Sequence, residues 1–282
     1  MTAQPRPRRA MVTGATRGIG KATALALAAE GWDVAITGRT RLAGEGRDDS
    51  DTGEGRALPG SLQETAAQVR DAGGKALELA ADLHDLAALR SAVGQVTGEW
   101  GGLDLLVNNA VDTGPGSMVG ILEITVEQME AKLSANVVAQ LFLVQQVLPG
   151  MLERGGGIII DVTSHVATAD PPGPVGSGGW GLAYAASKAA FHRIAPLLAV
   201  EFGRQGIRAY NVDPGYVETE RQLVNATALG LVGHYSGAPP SVPAAAIAWL
   251  AEAPAEIENG QTIRAQKLAL THQLHPDWRA SG

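Results

Sequence analysis

Short, mostly apolar runs alternate along the chain with longer segments in which apolar positions recur three and four residues apart. The short runs, at 10–13, 33–37, 76–80, 103–107, 157–162, 207–212 and 261–264, read as strands with both faces buried. The longer segments, at 21–30, 62–72, 85–99, 126–152, 183–202 and 243–251, read as helices. Gly31 and the Gly73-Gly74 pair stop the first two helices, as glycine does just past a helix end. Strands that alternate with helices predict a parallel sheet covered on both faces. Right-handed crossovers then favour a doubly wound α/β fold of three layers, α/β/α.

Three stretches interrupt the pattern. Residues 42–60 carry Gly44, Gly46, Gly53, Gly55 and Gly60 with Asp48, Asp49 and Asp51, and read as an inserted, mobile surface loop with too few apolar residues to pack. Residues 170–181 hold Pro171, Pro172 and Pro174 among five glycines and form a second inserted loop, which brings Trp180 to the substrate mouth. Residues 229–240 read as a lid. No linker separates two cores, so 1–282 is expected to be one domain with a flexible tail at 1–9. That tail has Arg6, Arg8 and Arg9 but no apolar stretch behind them, unlike a secretory signal. Apolar runs such as 157–160 are short for a bilayer, so a cytoplasmic protein without a membrane partner is expected.

Composition narrows the chemistry. The chain has no cysteine, which excludes disulfides, thiolate catalysis and cysteine-based zinc sites. Its formal charge of -7 argues against a nucleic-acid partner, which needs a basic footprint. His272 and His275 lack a third ligand and read as a polar tail, so no metal is expected.

Between the first strand and first helix lies a glycine turn containing Gly14, Thr16, Arg17, Gly18, Ile19 and Gly20. Such glycines let the backbone approach a pyrophosphate, while the helix N-terminus behind them offers free N–H groups. In this position the turn is a dinucleotide signal of a Rossmann-type sheet. An NAD site usually has an acidic residue at the end of the second strand. Here Gly38, Arg39 and Thr40 stand there, and Arg17 lies inside the turn. Forked guanidinium donors suit a 2′-phosphate, so NADP(H) is expected to be preferred, with NAD(H) possible.

Tyr184 and Lys188 lie four residues apart, on one face of the 183–202 helix. A free tyrosine titrates near 10 and is a poor base at neutral pH. An ammonium beside it favours the phenolate, which makes Tyr184 a candidate general acid/base. His165 follows Ser164 and is a further candidate for substrate contact.

With the Thr13–Gly20 turn, Asn108-Asn109-Ala110, Asn136, Ser164, Tyr184, Lys188, Pro214-Gly215 and Thr219 in this order, the chain resembles the short-chain dehydrogenase/reductase family over nearly its whole length. The resemblance implies an NAD(P)-dependent oxidoreductase acting on a ketone or secondary alcohol. Tyr184 would exchange the proton, Ser164 would stabilise the developing charge on the substrate oxygen, and Asn136 would anchor a water relay to Lys188. Lys188 would hold the nicotinamide ribose and lower the tyrosine pKa. Asp82 and Leu83 would contact adenine, and Asn109 and Ala110 would line the cofactor. Val217 and Thr219, after Pro214 and Gly215, would hold the carboxamide. A homodimer or homotetramer built on the 126–152 and 183–202 helices is also implied. Val111 stands where the family usually has glycine, and the two inserted loops are further departures. Two other readings stay open: an NAD-dependent dehydrogenase of the same family, and a catalytically silent dinucleotide-binding regulator.

Overall fold

The computed structural model describes residues 7–228 and 237–278. Most of the expected lid at 229–240 and of the expected tail at 1–9 lies outside these residues.

Seven strands form one parallel sheet: β1 (Arg8–Val12), β2 (Trp32–Gly38), β3 (Ala76–Ala80), β4 (Leu105–Asn108), β5 (Gly157–Val162), β6 (Ile207–Asp213) and β7 (Thr262–Arg264). Their order is β3-β2-β1-β4-β5-β6-β7. Side chains alternate across the pleat into two cores. On β1, Ala10 and Val12 join Val34 and Ile36 on one face, and Met11 joins Ala35 and Leu106 on the other. All of these are buried, which explains why the strands read as continuous apolar runs. The order reverses at β1, between β2 and β4. That opens a crevice above the strands' carboxyl ends, where open α/β sheets bind ligands.

Helices α1 (Gly18–Ala29), α2 (Leu62–Asp71) and α3 (Leu86–Trp100) follow the first three strands. The expected helix at 126–152 is continuous over 126–153, but it contains a π-helical segment, Ser134–Val138, between α4 (Val126–Leu133) and α5 (Ala139–Glu153). By length and composition this run is apolar enough to cross a membrane. Its Leu143, Val144, Val147 and Met151 are core residues here.

The helix expected at 183–202 is two helices, α6 (Leu182–Phe191) and α7 (Ile194–Phe202). Pro196 has no N–H to offer the His192 carbonyl one turn back, and its ring crowds that carbonyl. Asn211 Nδ2 takes the freed oxygen at 2.8 Å. Two further elements were not anticipated from sequence, α8 (Glu220–Ala228) and α10 (Ala265–Thr271); α9 (Ser241–Leu250) lies between them.

Residues 42–60 also differ from expectation: they pack, chiefly through polar contacts. Arg47 and Ala57 form a β-bridge, Leu58 is buried, and the buried Asp48 binds Arg221 and Asn225 of α8. The 170–181 loop turns back on itself through a Val175–Gly179 bridge. Its end is tied down by Gly181 N donating to Ser117 O at 3.0 Å.

Candidate active site

The glycine turn after β1 has positive φ at Gly14 (+66°) and Gly18 (+56°), a region that favours glycine. A Cβ at Gly20 would lie 2.4 Å from both Asn109 Nδ2 and Gly14 O, so the turn is closed against the β4 end with no space for a side chain. Thr13 makes the junction. Its Oγ1 accepts Asn109 N at 3.0 Å and Ala110 N at 2.9 Å, while Asn109 Nδ2 donates to Thr13 O at 2.8 Å. At the start of α1, Gly18 N donates to the Glu220 carboxylate at 2.8 Å. An anion of the chain itself therefore stands on the amide expected to meet a pyrophosphate, as the positive end of a helix favours. A backbone cradle closed to Cβ atoms, with an amide that already binds a carboxylate, fits a dinucleotide.

The turn opens into a cleft of about 510 Å³. Gly14, Thr16, Arg17, Gly18, Ile19 and Gly20 line one end, with Arg39, Thr40, Asp82 and Leu83. Asn109, Ala110, Pro214, Gly215, Val217 and Thr219 line its length, and Ser164, Tyr184 and Lys188 its other end. Asn136 does not line it, and neither does Trp180, expected at the substrate mouth, nor His165, the candidate for substrate contact. His275 meets Ser241 at 3.0 Å and His272 stacks near Trp249, and no cluster that could hold a metal occurs among the described residues.

Neither arginine at the adenosine end is free. Arg17 Nε donates to Pro59 O at 2.8 Å, and its Nη2 donates to Thr40 Oγ1 at 3.2 Å. Arg39 Nη1 lies 2.7 Å from Asp49 Oδ2, and its Nε lies 3.9 Å from Asp82. Asp49 keeps a pKa of about 2: burial raises it, and the bonds from Arg39 and Thr113 more than offset that.

At the chemical end, Ser164 follows β5 and shares the end of the cleft with Tyr184. Burial pushes the Tyr184 pKa up, Ser164 lowers it, and Asp213 raises it further. The expected lowering by Lys188 is not found in this geometry, because the Lys188 ammonium turns to Val162 O at 2.9 Å. Burial brings Lys188 down to about 8, against an opposing effect of Asp161. Asn136 sits in the π-helical segment, where irregular helix often marks a functional site. Its Oδ1 accepts Asp112 N at 2.7 Å and its Nδ2 donates to Ser187 Oγ at 3.1 Å. It thus ties the wall of the cleft to α6.

Sequence reasoning missed Asp161, which lies opposite Asn108 in the register of β4 and β5. Asn108 Nδ2 donates to Asp161 Oδ1 at 2.9 Å, whereas Asn108 Oδ1 and Asp161 Oδ2 are buried with no partner. A proton on Asp161 Oδ2 supplies the one donor these two acceptors lack. Burial raises the Asp161 pKa to about 7, against the pull of Asn108 and Lys188. The folded protein therefore binds a proton that the unfolded chain releases near pH 4. The stability this gives is complete below that value and is lost as pH rises towards about 7. Asp161→Asn keeps the pairing with Asn108 and removes the titration. The expected result is a Tm that falls between pH 5 and 7.5 in the parent and falls much less in the variant, a difference of about 2.5 kcal/mol. Parallel pH curves from scanning calorimetry would contradict it.

Sequence reasoning also missed Lys132 and Asp112, a buried ion pair at 3.0 Å. Lys132 Nζ also donates to Gly114 O at 2.5 Å, which fixes the wall after Val111 where the family's glycine is absent. A lysine at an otherwise polar helix position gave no signal, since its partner is eighteen to twenty residues away in a loop.

Comparison with known proteins agrees with this geometry. The short chain dehydrogenase family profile matches residues 8–47 and 56–228, passing over 48–55 within the inserted loop. The chain is 32% identical over 230 residues to a cyclohexanol dehydrogenase of Rhodococcus sp. (strain TK6), covering 78% of each chain. It superposes on a short chain dehydrogenase from Mycobacterium paratuberculosis bound to NAD with a TM-score of 0.74 and 27% identity, covering 93% of this chain and 97% of the other. A 3-oxoacyl (acyl-carrier-protein) reductase from Agrobacterium tumefaciens with NADP bound gives 0.75 and 26%, covering 92% and 93%.

Proposed function

The chain belongs to the short-chain dehydrogenase/reductase family, and from that premise we propose that it moves a hydride between a nicotinamide dinucleotide and a ketone or secondary alcohol, with Tyr184 exchanging the proton. The observation that carries this reading is the grouping of Ser164, Tyr184 and Lys188 at one end of the cleft whose other end is the glycine turn. The bound dinucleotide would supply the hydride; the glycine turn, Asn109 and Ala110 would hold it.

Tyr184 is half-buried and protonated at neutral pH, so in the reducing direction its hydroxyl is a ready acid for a carbonyl oxygen. Ser164 Oγ is a second hydroxyl beside that oxygen's position, able to donate to it as charge develops. Lys188 provides a positive charge under the same pocket while it remains protonated, below about pH 8. Asn136 joins the cleft wall to α6 through one bond at each side-chain atom, which would position it for the water relay to Lys188.

Arg17 and Arg39 support NADP(H) as the preferred cofactor, while the carboxylate of Asp49 on Arg39 favours NAD(H) as a second reading. A panel of ketones and secondary alcohols assayed with NADPH and NADH tests the activity. Tight cofactor binding with no turnover across the panel would favour the regulator. We further propose a homodimer or homotetramer. Val138 and Leu141 on the 126–153 helix, and Leu197 and Val200 on α7, are apolar and well exposed in the single chain. Light scattering at micromolar concentration is expected to give a multiple of 29.1 kDa, and a monomer would remove the proposal.

A further inference from the structure

The inserted loop runs as a strap beside the cleft, held by three carboxylates. Asp48 is fully buried and binds Arg221 at 3.0 Å and Asn225 at 2.9 Å, both on α8. Asp51 accepts Gly116 N at 2.7 Å and Met118 N at 2.8 Å, in the loop after β4. Asp49, between them, reaches the end of β2. Its Oδ2 lies 2.7 Å from Arg39 Nη1, and its Oδ1 accepts Thr113 Oγ1 at 2.7 Å and lies 3.5 Å from Arg221 Nη1. The outer two carboxylates and the buried Leu58 fix the strap without help from Arg39. Asp49 is therefore placed on the guanidinium by the loop, rather than drawn to it from a free position.

We propose that Asp49 sets the cofactor preference of this enzyme by holding, as an internal carboxylate, the guanidinium that a 2′-phosphate requires. This rests on the reading of the cleft as a dinucleotide site. Family members commonly place their discriminating acid at the end of the second strand. Here that position is Arg39, and an acid arrives from an insertion that the family profile passes over. A 2′-phosphate has to displace Asp49 from Arg39 and then stand beside it, with Asp82 also near. Two free ribose hydroxyls carry no charge and can donate to the same carboxylate. One residue thus opposes NADP(H) and assists NAD(H), while Arg39 alone would do the reverse.

The test is direct binding of NADPH and NADH, by calorimetry or nicotinamide fluorescence, to the parent, Asp49→Asn and Asp51→Asn. Asp49→Asn keeps the shape and removes the charge. It is expected to tighten NADPH roughly tenfold or more, the scale of one charge-assisted hydrogen bond. NADH should bind equally or more weakly, and high salt should shrink the gain. Asp51→Asn loosens the strap at its far end without changing the charge on Arg39, and should leave the NADPH/NADH ratio within about twofold of the parent. An unchanged ratio in Asp49→Asn overturns the proposal, and so does an equal shift in both variants, which would mean that strap opening is responsible. Failure of either cofactor to bind the parent would instead overturn the dinucleotide reading beneath it.

Discussion

Tyr184→Phe is expected to lower turnover by roughly two to four orders of magnitude, the range of a lost general acid/base. The ring stays in place and only the hydroxyl goes, so packing around α6 is preserved. Ser164 lines the same cleft, where water can serve its hydroxyl, so the stability cost is about 1 kcal/mol. The glycine turn lies at the opposite end of the cleft, and cofactor Kd should change by no more than about twofold. These three readouts separate the proton from the scaffold. A structural role for Tyr184 would reduce Tm and cofactor affinity together with turnover. Steady-state kinetics showing near-parent kcat in the Phe variant would end the assignment, whatever happened to stability.

Much of this was legible in the sequence because each signal was local. The strands could be read since both faces are buried, which leaves runs such as Leu105–Asn108 and Gly157–Val162 without polar interruption apart from Asn108 and Asp161. The glycine turn and the Tyr184–Lys188 spacing are short-range patterns whose geometry follows from a turn or one helical step. What was missed depends on distant pairs. Pro196 is a local helix breaker, but the group that takes the freed His192 carbonyl, Asn211 on β6, is distant in sequence. The strap could not be read from its glycines and aspartates, which resemble a solvated loop. Its anchors, Arg221, Asn225, Gly116 and Met118, lie from 65 to 177 residues away. Glu220 on Gly18 N is likewise a contact across 202 residues. Even the interruption in β5 was informative in retrospect: a carboxylate inside a strand buried on both faces must be paired or protonated, and Asp161 points to Asn108 for that reason.

Lys188→Met should produce the other large change, a loss of roughly two to three orders of magnitude in turnover, the scale of removing one preorganised charged donor from a buried site. The side chain is almost entirely buried, and its ammonium has the Val162 carbonyl as its hydrogen-bond partner, so no surface ion pair explains its presence. Methionine fills similar volume without the charge. In the parent, Lys188 loses its proton above about pH 8, while burial already holds Tyr184 in its protonated form. Alcohol oxidation needs Tyr184 as a base. With its ammonium on Val162 O, Lys188 does not lower the tyrosine, so an upward move of the alkaline-rising limb of kcat for oxidation in the variant is the result that would show Lys188 reaching Tyr184 during turnover. Cofactor Kd should also rise if the same ammonium holds the nicotinamide ribose. An unshifted pH limb with a weakened Kd would assign Lys188 to cofactor binding alone. An unshifted limb with an unchanged Kd would leave it only the packing of α6 against β5, and the proposed mechanism would then have to find its positive charge elsewhere.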